Sequence, residues 1–187
     1  DATVAVLERN GGRVLKVNGK PDASSRGDML TQVASAWVPA VLAKRAERIL
    51  VIGLGSGVTA GAASRLSKGV EVVEIAPAVV DAARHFGPWN RGVVDNPDVA
   101  MHVDDARAWL ARTDQRWDII ISEPSNPWVA GNGALFTREF FQLARRHLTP
   151  GGVMAQWFHA YEMDDELLQL VLRTVADSFP HVSLWTL

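Results

Sequence analysis

The fold of this chain is decided by residues 48–74, which read RILVIGLGSGVTAGAASRLSKGVEVVE. An apolar run ends in alternate glycines, and a helical segment of small residues and a second apolar run follow. The glycines are Gly53, Gly55 and Gly57. Glycine permits positive φ and a close approach of ligand to backbone, and a helix start offers free N–H groups. Glu74 closes the second run, where an acid can bind ribose hydroxyls. The stretch therefore predicts a site for a nucleoside-type cofactor.

From residue 48 onward, strand and helix patterns alternate. Strands are predicted at 48–52, 70–75, 99–103, 117–122 and 152–158, and helices at 57–67, 77–86, 105–112, 137–148 and 164–178. Such alternation with short links is typical of an α/β fold, a Rossmann-like doubly wound parallel sheet. Ligands of these folds bind beyond the carboxyl ends of the strands, so the polar loops there are the candidate site.

A small antiparallel element is predicted ahead of this sheet. Two β-rich runs, Thr3–Leu7 and Arg13–Val17, flank an Asn-Gly-Gly turn signal, and Lys20–Gly27 reads as a polar connector. Asp28 is a candidate N-cap for the helix that follows. We therefore expect a β-hairpin element over 1–27 and a Rossmann-like domain over 28–187. A last short strand is predicted over 182–187.

The loop after the third strand holds two acids, Asp104 and Asp105. A carboxylate at this point can accept a hydrogen bond from an adenine amino group. The plain alternative is an N-cap for the helix at 105–112, and one residue can do both.

The loop after the fourth strand, SEPSNPWVAG at residues 122–131, combines a carboxylate, an amide, two prolines and an aromatic ring. Prolines stiffen the backbone, which suits a site that must orient an amine. Glu123 is the candidate general base, provided that its surroundings set a suitable pKa. The alternative is a rigid surface loop with a solvated Glu123.

Composition narrows the classes of function. A net charge of −2 over 187 residues gives no electrostatic footprint for nucleic acid. The histidines lack metal-ligand spacing, so no metal site is predicted. The chain has no cysteine, and no apolar run approaches the roughly 18–20 residues that span a bilayer. We expect a cytoplasmic protein or the soluble domain of a membrane protein, since a chain that starts at Asp1 reads as an excised part.

Taken together, the motifs VIGLGSG, VVEIAP, VDDARAWL, WDIIISEPSNP and LTPGGVMAQW resemble the spermidine synthase family. These polyamine aminopropyltransferases have the class I S-adenosylmethionine-dependent methyltransferase fold, and some bacterial relatives are fused to a transporter-like membrane part. The resemblance implies a transferase of polyamine biosynthesis that binds S-adenosylmethionine or its decarboxylated form. It also implies a small-molecule amine as acceptor, and a homodimer, since spermidine synthases are commonly dimers.

The resemblance implies roles for single residues. Gly53, Gly55 and Gly57 would line the methionine-like end of the cofactor, Glu74 would bind the ribose, and Asp105, next to Asp104 and Ala106, would bind the adenine. Glu123 stands where the family has its catalytic aspartate. The candidate amine-binding residues are Asp22, Asn126, Trp128 and Gln156.

The amine end departs from the family pattern. Asp22 replaces a glutamine, Asn126 replaces an aspartate, and Thr31 and Val33 stand where a tyrosine and a glutamate are expected. A polyamine is a polycation whose recognition needs matched carboxylates. We therefore expect altered polyamine specificity.

Other readings stay open. The segment Asn126-Pro127-Trp128 is similar to the NPPY loop of amine methyltransferases, so N-methylation is an alternative. Another is a cofactor-binding domain without catalysis, attached to a transporter. The glycine loop also fits the dinucleotide pattern GxGxxA, but the later motifs do not follow that of a nicotinamide dehydrogenase.

Overall fold

A computed structural model describes residues 2–125, 132–159 and 163–186 of the chain. A three-stranded antiparallel sheet comes first, formed by β1 (Val4–Arg9), β2 (Gly12–Val17) and β3 (Lys20–Ser24). The predicted hairpin is confirmed. The polar connector predicted from residue 20 is wrong over β3, because the turn at Asn18-Gly19, with both residues at positive φ, folds the chain back onto β2.

The main sheet has five parallel strands in the order β6-β5-β4-β7-β8. They are β4 (Arg48–Ile52), β5 (Gly69–Glu74), β6 (Val99–Val103), β7 (Trp117–Ser122) and β8 (Leu148–Gln156). The predicted Rossmann-like sheet is thus confirmed. Since the chain moves to one side of β4 through β5 and β6, and to the other side through β7 and β8, a crevice forms beyond the end of β4.

Helices cover both faces of this sheet. They are α1 (Met29–Leu42), α2 (Val58–Ala63), α3 (Pro77–Ala83), α4 (Gly87–Asn90), α5 (Ala106–Ala111), α6 (Arg138–Arg146) and α7 (Asp165–Ala176). Short 3-10 turns lie at Arg84–Phe86, Val93–Asp95 and Asn132–Phe136. Each predicted helix is present, although α2 ends earlier than expected, at Ala63. The strand predicted over 182–187 is wrong for residues 182–186, which form no strand, and Leu187 lies outside the described residues.

The core has two layers, one on each face of the sheet. Ile49 and Val51 of β4 point to the layer under α1, α2, α3 and the small sheet. Leu50 and Ile52 point to the other layer, where Phe140 of α6 is fully buried. Because both faces are covered, β4 and β7 read as continuous apolar runs rather than as alternating patterns.

Candidate functional site

The glycine loop between β4 and α2 has three residues at positive φ: Gly53 at 87°, Gly55 at 52° and Gly57 at 80°. A Cβ at Gly53 would lie 2.7 Å from the backbone oxygen of Glu123, so the loop after β7 touches the glycine loop directly. A Cβ at Gly57 would lie 3.0 Å from Asn90 Nδ2. These two glycines are therefore required by contacts inside the protein, whether or not a ligand is bound.

Asn90, at the end of α4, is hydrogen-bonded to the glycine loop. Its side chain is fully buried, and Nδ2 donates to the backbone oxygens of Ser56, at 2.8 Å, and Ala83, at 2.7 Å. A Cβ at Gly61 would lie only 2.2 Å from Asn90 O, so α2 packs directly on α4. The sequence did not predict a role for Asn90. The signal that could have pointed to this contact is Gly61, a glycine inside a helix of small residues.

Glu74 lies at the end of β5, as predicted, and is 7% exposed. One carboxylate oxygen accepts from Leu54 N in the glycine loop, and the other accepts from Ala76 N, both at 2.9 Å. Burial raises the pKa of Glu74, while these backbone hydrogen bonds oppose the rise. The carboxylate is thus held beside the glycine loop, at the place expected for a ribose-binding acid.

Asp104 and Asp105 follow β6. Asp105 is the N-cap of α5, because its carboxylate accepts from Ala108 N at 2.8 Å. Asp104 accepts from Asp105 N at 2.8 Å and pairs with Arg112. The capping alternative is therefore confirmed for Asp105. Ala106 begins α5 and is buried. An adenine-binding role for this loop stays a prediction.

A cleft opens between the glycine loop, the turn from β3 to α1, and the loop after β7. It brings together residues that are far apart in sequence. They include Asp22, Asp28, Gly53, Glu123, Trp157 and His159. None of the described residues that line this cleft is Lys or Arg. Its carboxylates therefore create a negative potential, which attracts a cation.

Glu123 is the first residue after β7. Its backbone N–H donates to Ile52 O at 2.8 Å, so the parallel ladder continues into the loop. The side chain of Glu123 is half-buried and lies near the hydroxyl groups of Ser35 and Thr59. Burial raises the pKa of Glu123 to about 7, against the effect of these hydroxyl groups and with a contribution from the negative charge of Asp28. The carboxyl group can therefore exchange a proton near neutral pH.

Two further carboxylates are held at the cleft from the side of the small sheet. Asp22 on β3 accepts a hydrogen bond from Ser125 Oγ, which joins β3 to the loop after β7. Asp28 occupies the N-cap position of α1, but its carboxylate oxygens accept from Ser24 N at 3.0 and 3.1 Å, and not from a helix N–H. The predicted side-chain cap is thus wrong, because the tight turn that precedes α1 uses the carboxylate.

Gln156 ends β8 and pairs in register with Ser122 of β7. Its Nε2 donates to Trp157 O at 3.0 Å. Within the described parts of the chain, Gln156 Oε1 and Ser122 Oγ are buried without a hydrogen-bond partner. The other two predicted amine-binding residues, Asn126 and Trp128, lie outside the described residues.

The family model of the spermine/spermidine synthase domain matches residues 30–187 of this chain. The chain belongs to this family. Among the relatives, polyamine aminopropyltransferase 1 of Pseudomonas aeruginosa is 31% identical over 146 residues, which are 76% of this chain and 51% of that protein. The polyamine aminopropyltransferase of Aeropyrum pernix is 28% identical over 186 residues, 96% of this chain and 59% of that protein. The chain thus spans little more than half the length of these curated relatives.

Solved structures of the spermine/spermidine synthase family share the fold. Spermidine synthase from Thermotoga maritima matches with a TM-score of 0.85 and 22% identity, over 96% of this chain and 62% of that one. A spermidine synthase in complex with the transition-state analogue AdoDATO matches with a TM-score of 0.87 and 22% identity. The resemblance that the motifs predicted is confirmed at the level of family and fold.

Two features are absent from the described residues. No helix in residues 2–125, 132–159 and 163–186 is long and apolar enough to cross a membrane. The same residues contain no group of three or more His, Cys, Asp and Glu side chains that could hold a metal ion.

Proposed function

We propose that this chain binds decarboxylated S-adenosylmethionine, or S-adenosylmethionine itself, and transfers an aminopropyl group to a small-molecule amine. The observation that carries the proposal is Glu123, a carboxyl group with a pKa of about 7, beside the glycine loop in a cleft lined by carboxylates. Membership of the spermine/spermidine synthase family supports it, as do relatives named polyamine aminopropyltransferase.

The strand order supports the proposed cofactor roles. The loops after β6, β5 and β4 carry Asp105, Glu74 and Gly53–Gly57 in that order along one edge of the sheet. Neighbouring strands lie about 4.8 Å apart, so the three loops span about 10 Å, comparable to the length of an extended nucleoside. Asp105 would accept from the adenine amino group, Glu74 would accept from the ribose hydroxyls, and the glycine loop would face the sulfonium.

The loop after β7 comes next along the same edge and supplies the base. The amine nitrogen attacks the carbon bonded to the sulfonium sulfur, the C–S bond breaks with its electron pair left on sulfur, and methylthioadenosine leaves. Glu123 accepts the proton that the amine loses. The sulfonium is its own leaving group, so the protein has to supply only orientation and a base.

The negative potential of the cleft favours a cationic acceptor. Asp22 and Asp28 lie on its wall with Glu123, and a protonated amine approaching them would be attracted before it gives up its proton. We propose Asp22, Asn126, Trp128 and Gln156 as the residues that hold the acceptor. The homodimer, the cytoplasmic location and a link to a membrane domain stay predictions.

The deciding experiment offers each form of the cofactor with a panel of mono- and diamines of different lengths and separates the nucleoside products by chromatography. We expect methylthioadenosine from the decarboxylated form at pH 8, at a rate that Glu123→Gln lowers by about 10²- to 10⁴-fold. Adenosylhomocysteine from S-adenosylmethionine would indicate N-methylation instead. Tight nucleoside binding without either product would indicate a binding domain and would overturn the proposal.

A further inference from the structure

The glycine loop, residues 53–57, has a single polar side chain, that of Ser56. Its glycines have no side chains and permit many backbone conformations, so contacts of the other two residues have to fix the shape of the loop. Leu54 is 4% exposed and packs in the core. Ser56 is 1% exposed, and its hydroxyl group donates a hydrogen bond to the side-chain oxygen of Gln32. The shape of the loop therefore depends on a residue of α1.

Gln32 uses both ends of its side-chain amide. The oxygen accepts from Ser56 Oγ, and Nε2 donates to Ser24 O, at the end of β3, at 2.9 Å. The backbone oxygen of Gln32 also accepts from Thr59 Oγ1 of α2, at 2.9 Å. An amide can donate at one end and accept at the other, whereas an ionised carboxylate only accepts. The residue type at position 32 therefore matches its two partners.

Gln32 also lines the cleft, where it joins the end of β3 to the glycine loop. The other sides of the cleft are joined as well. Asp22 of β3 accepts from Ser125 Oγ in the loop after β7. Gly53 lies against the backbone oxygen of Glu123 in that same loop. Three contacts thus form a ring around the cleft, and Gln32 makes one of them with its side chain.

We propose that Gln32 is a positioning residue of this site. Its amide couples the glycine loop to the end of β3 and so holds the loop in the shape on which a nucleoside would seat. A preorganised loop binds its ligand without the cost of being ordered first. The effect on ligand binding rests on the proposed function, since it concerns the nucleoside part of the proposed cofactor. The rigidity of the loop is a property of the free protein and stands without it.

The first test measures the rigidity of the loop in the free protein. Backbone ¹⁵N relaxation gives an order parameter for each N–H group, and a value of about 0.85 means a rigid backbone. Gln32→Met removes both side-chain hydrogen bonds of Gln32 at a similar side-chain volume. We expect values near 0.85 at residues 55–57 in the wild type and about 0.6 in Gln32→Met. Ser56→Ala removes the same contact from the other side and should lower the same values.

Ser178→Ala is the matched control. Ser178 is 2% exposed, its hydroxyl group donates to Thr174 O at 3.1 Å, and it is not among the described residues that line the cleft. Its replacement should cost stability through a lost buried hydrogen bond, yet leave the order parameters of the glycine loop unchanged. Unchanged order parameters in Gln32→Met or in Ser56→Ala would overturn the proposal.

The second test measures the binding of methylthioadenosine by calorimetry in a double-mutant cycle. Gln32→Met and Ser56→Ala should each weaken binding about three- to tenfold, and Ser178→Ala should bind as the wild type does. Because both variants remove the same hydrogen bond, Ser56→Ala should have little further effect in the Gln32→Met background. Losses of affinity that multiply in the double variant would contradict the proposal, since the two residues would then act separately.

The two proposals fail in distinguishable ways. If the wild type binds no nucleoside, the proposed function fails, yet the order parameters still decide the role of Gln32. If Gln32→Met does not fold, Ser56→Ala tests the same hydrogen bond alone, because it removes one oxygen atom and adds no atom that has to be accommodated.

Discussion

Replacing Glu123 by Gln should remove a pH-dependent penalty on folding. Burial raises the pKa of this carboxyl group from 4.5 to about 7. Between these two values the folded chain holds a proton that the unfolded chain has lost, so the stability of the wild type falls as pH rises. The penalty is absent below pH 4.5 and complete above pH 7. At ~1.4 kcal/mol per pH unit, it amounts to about 3 kcal/mol.

Urea denaturation of both proteins at a series of pH values from 5 to 9 would measure this penalty. The neutral amide of Gln stands in for the neutral acid and cannot ionise, so only the wild type should lose stability through Glu123. All other groups titrate in both proteins, and the difference between the two unfolding free energies isolates this one. We expect Glu123→Gln to gain about 2.5 kcal/mol on the wild type between pH 5 and pH 8, with equal denaturant m-values. Parallel stability curves would refute the reasoning, because they would mean that Glu123 ionises as easily in the folded chain as in the unfolded one.

Three further predictions concern Glu74, Gly61 and Asp118. If Glu74 binds the ribose as proposed, Glu74→Gln should weaken binding of methylthioadenosine by at least about tenfold in calorimetry, because the proposed acceptor for the ribose hydroxyls loses its charge. Burial raises the pKa of Glu74, so the wild-type affinity should also fall as pH is lowered. A wild-type affinity that does not depend on pH would contradict this role. Gly61→Ala should cost about 1–3 kcal/mol of unfolding free energy, because its Cβ would lie 2.2 Å from Asn90 O. The matched control is Gly27→Ala, whose Cβ would meet only Ser24 Oγ at an ordinary 3.9 Å and which should leave the stability nearly unchanged. Burial tends to raise the pKa of Asp118, but hydrogen bonds from a hydroxyl and two backbone N–H groups outweigh it and lower this pKa from its ordinary value. Asp118→Ala should therefore cost about 2–3 kcal/mol of unfolding free energy at pH 7. This cost should shrink as pH falls through the lowered pKa of the folded state, and a cost that does not change with pH would contradict the lowered pKa.

The main sheet could be predicted from the sequence because its central strands β4 and β7 are covered on both faces and are mostly apolar, and helical segments alternate with the strands. The strand β3 could not, since its sequence KPDAS has no β-branched or aromatic residue. It forms because a turn at positive φ returns the chain to β2, and Pro21 is tolerated because β3 is an edge strand. The opposite error arose at residues 182–186, where a β-rich pattern forms no strand. Strand propensity acts only where a neighbouring strand is there to pair with.

The residues of the candidate site also include some that the sequence could predict and some that it could not. Glu74 and Glu123 could be predicted because the ends of parallel strands mark the binding edge of the sheet. Asn90 could not, because its partners Ser56 O and Ala83 O belong to other elements and an amide residue in a short helix carries no local signal. The role of Asn90 depends on how α4 packs against α2 and the glycine loop, and packing is a property of the folded chain.

The glycine loop has a second role that its sequence pattern did not indicate. Gly53 lets the backbone of the Glu123 loop come so close that a Cβ would lie 2.7 Å from its oxygen, and Leu54 N holds the carboxylate of Glu74. The proposed ribose-binding acid and the proposed base are therefore fixed to the same few residues. A ligand that seats on the glycine loop would meet both carboxyl groups at set positions. In the proposed transfer from a sulfonium, the main contribution of the protein is to orient the two reactants. The glycine loop, which contacts both Glu74 and the Glu123 loop, would supply this orientation.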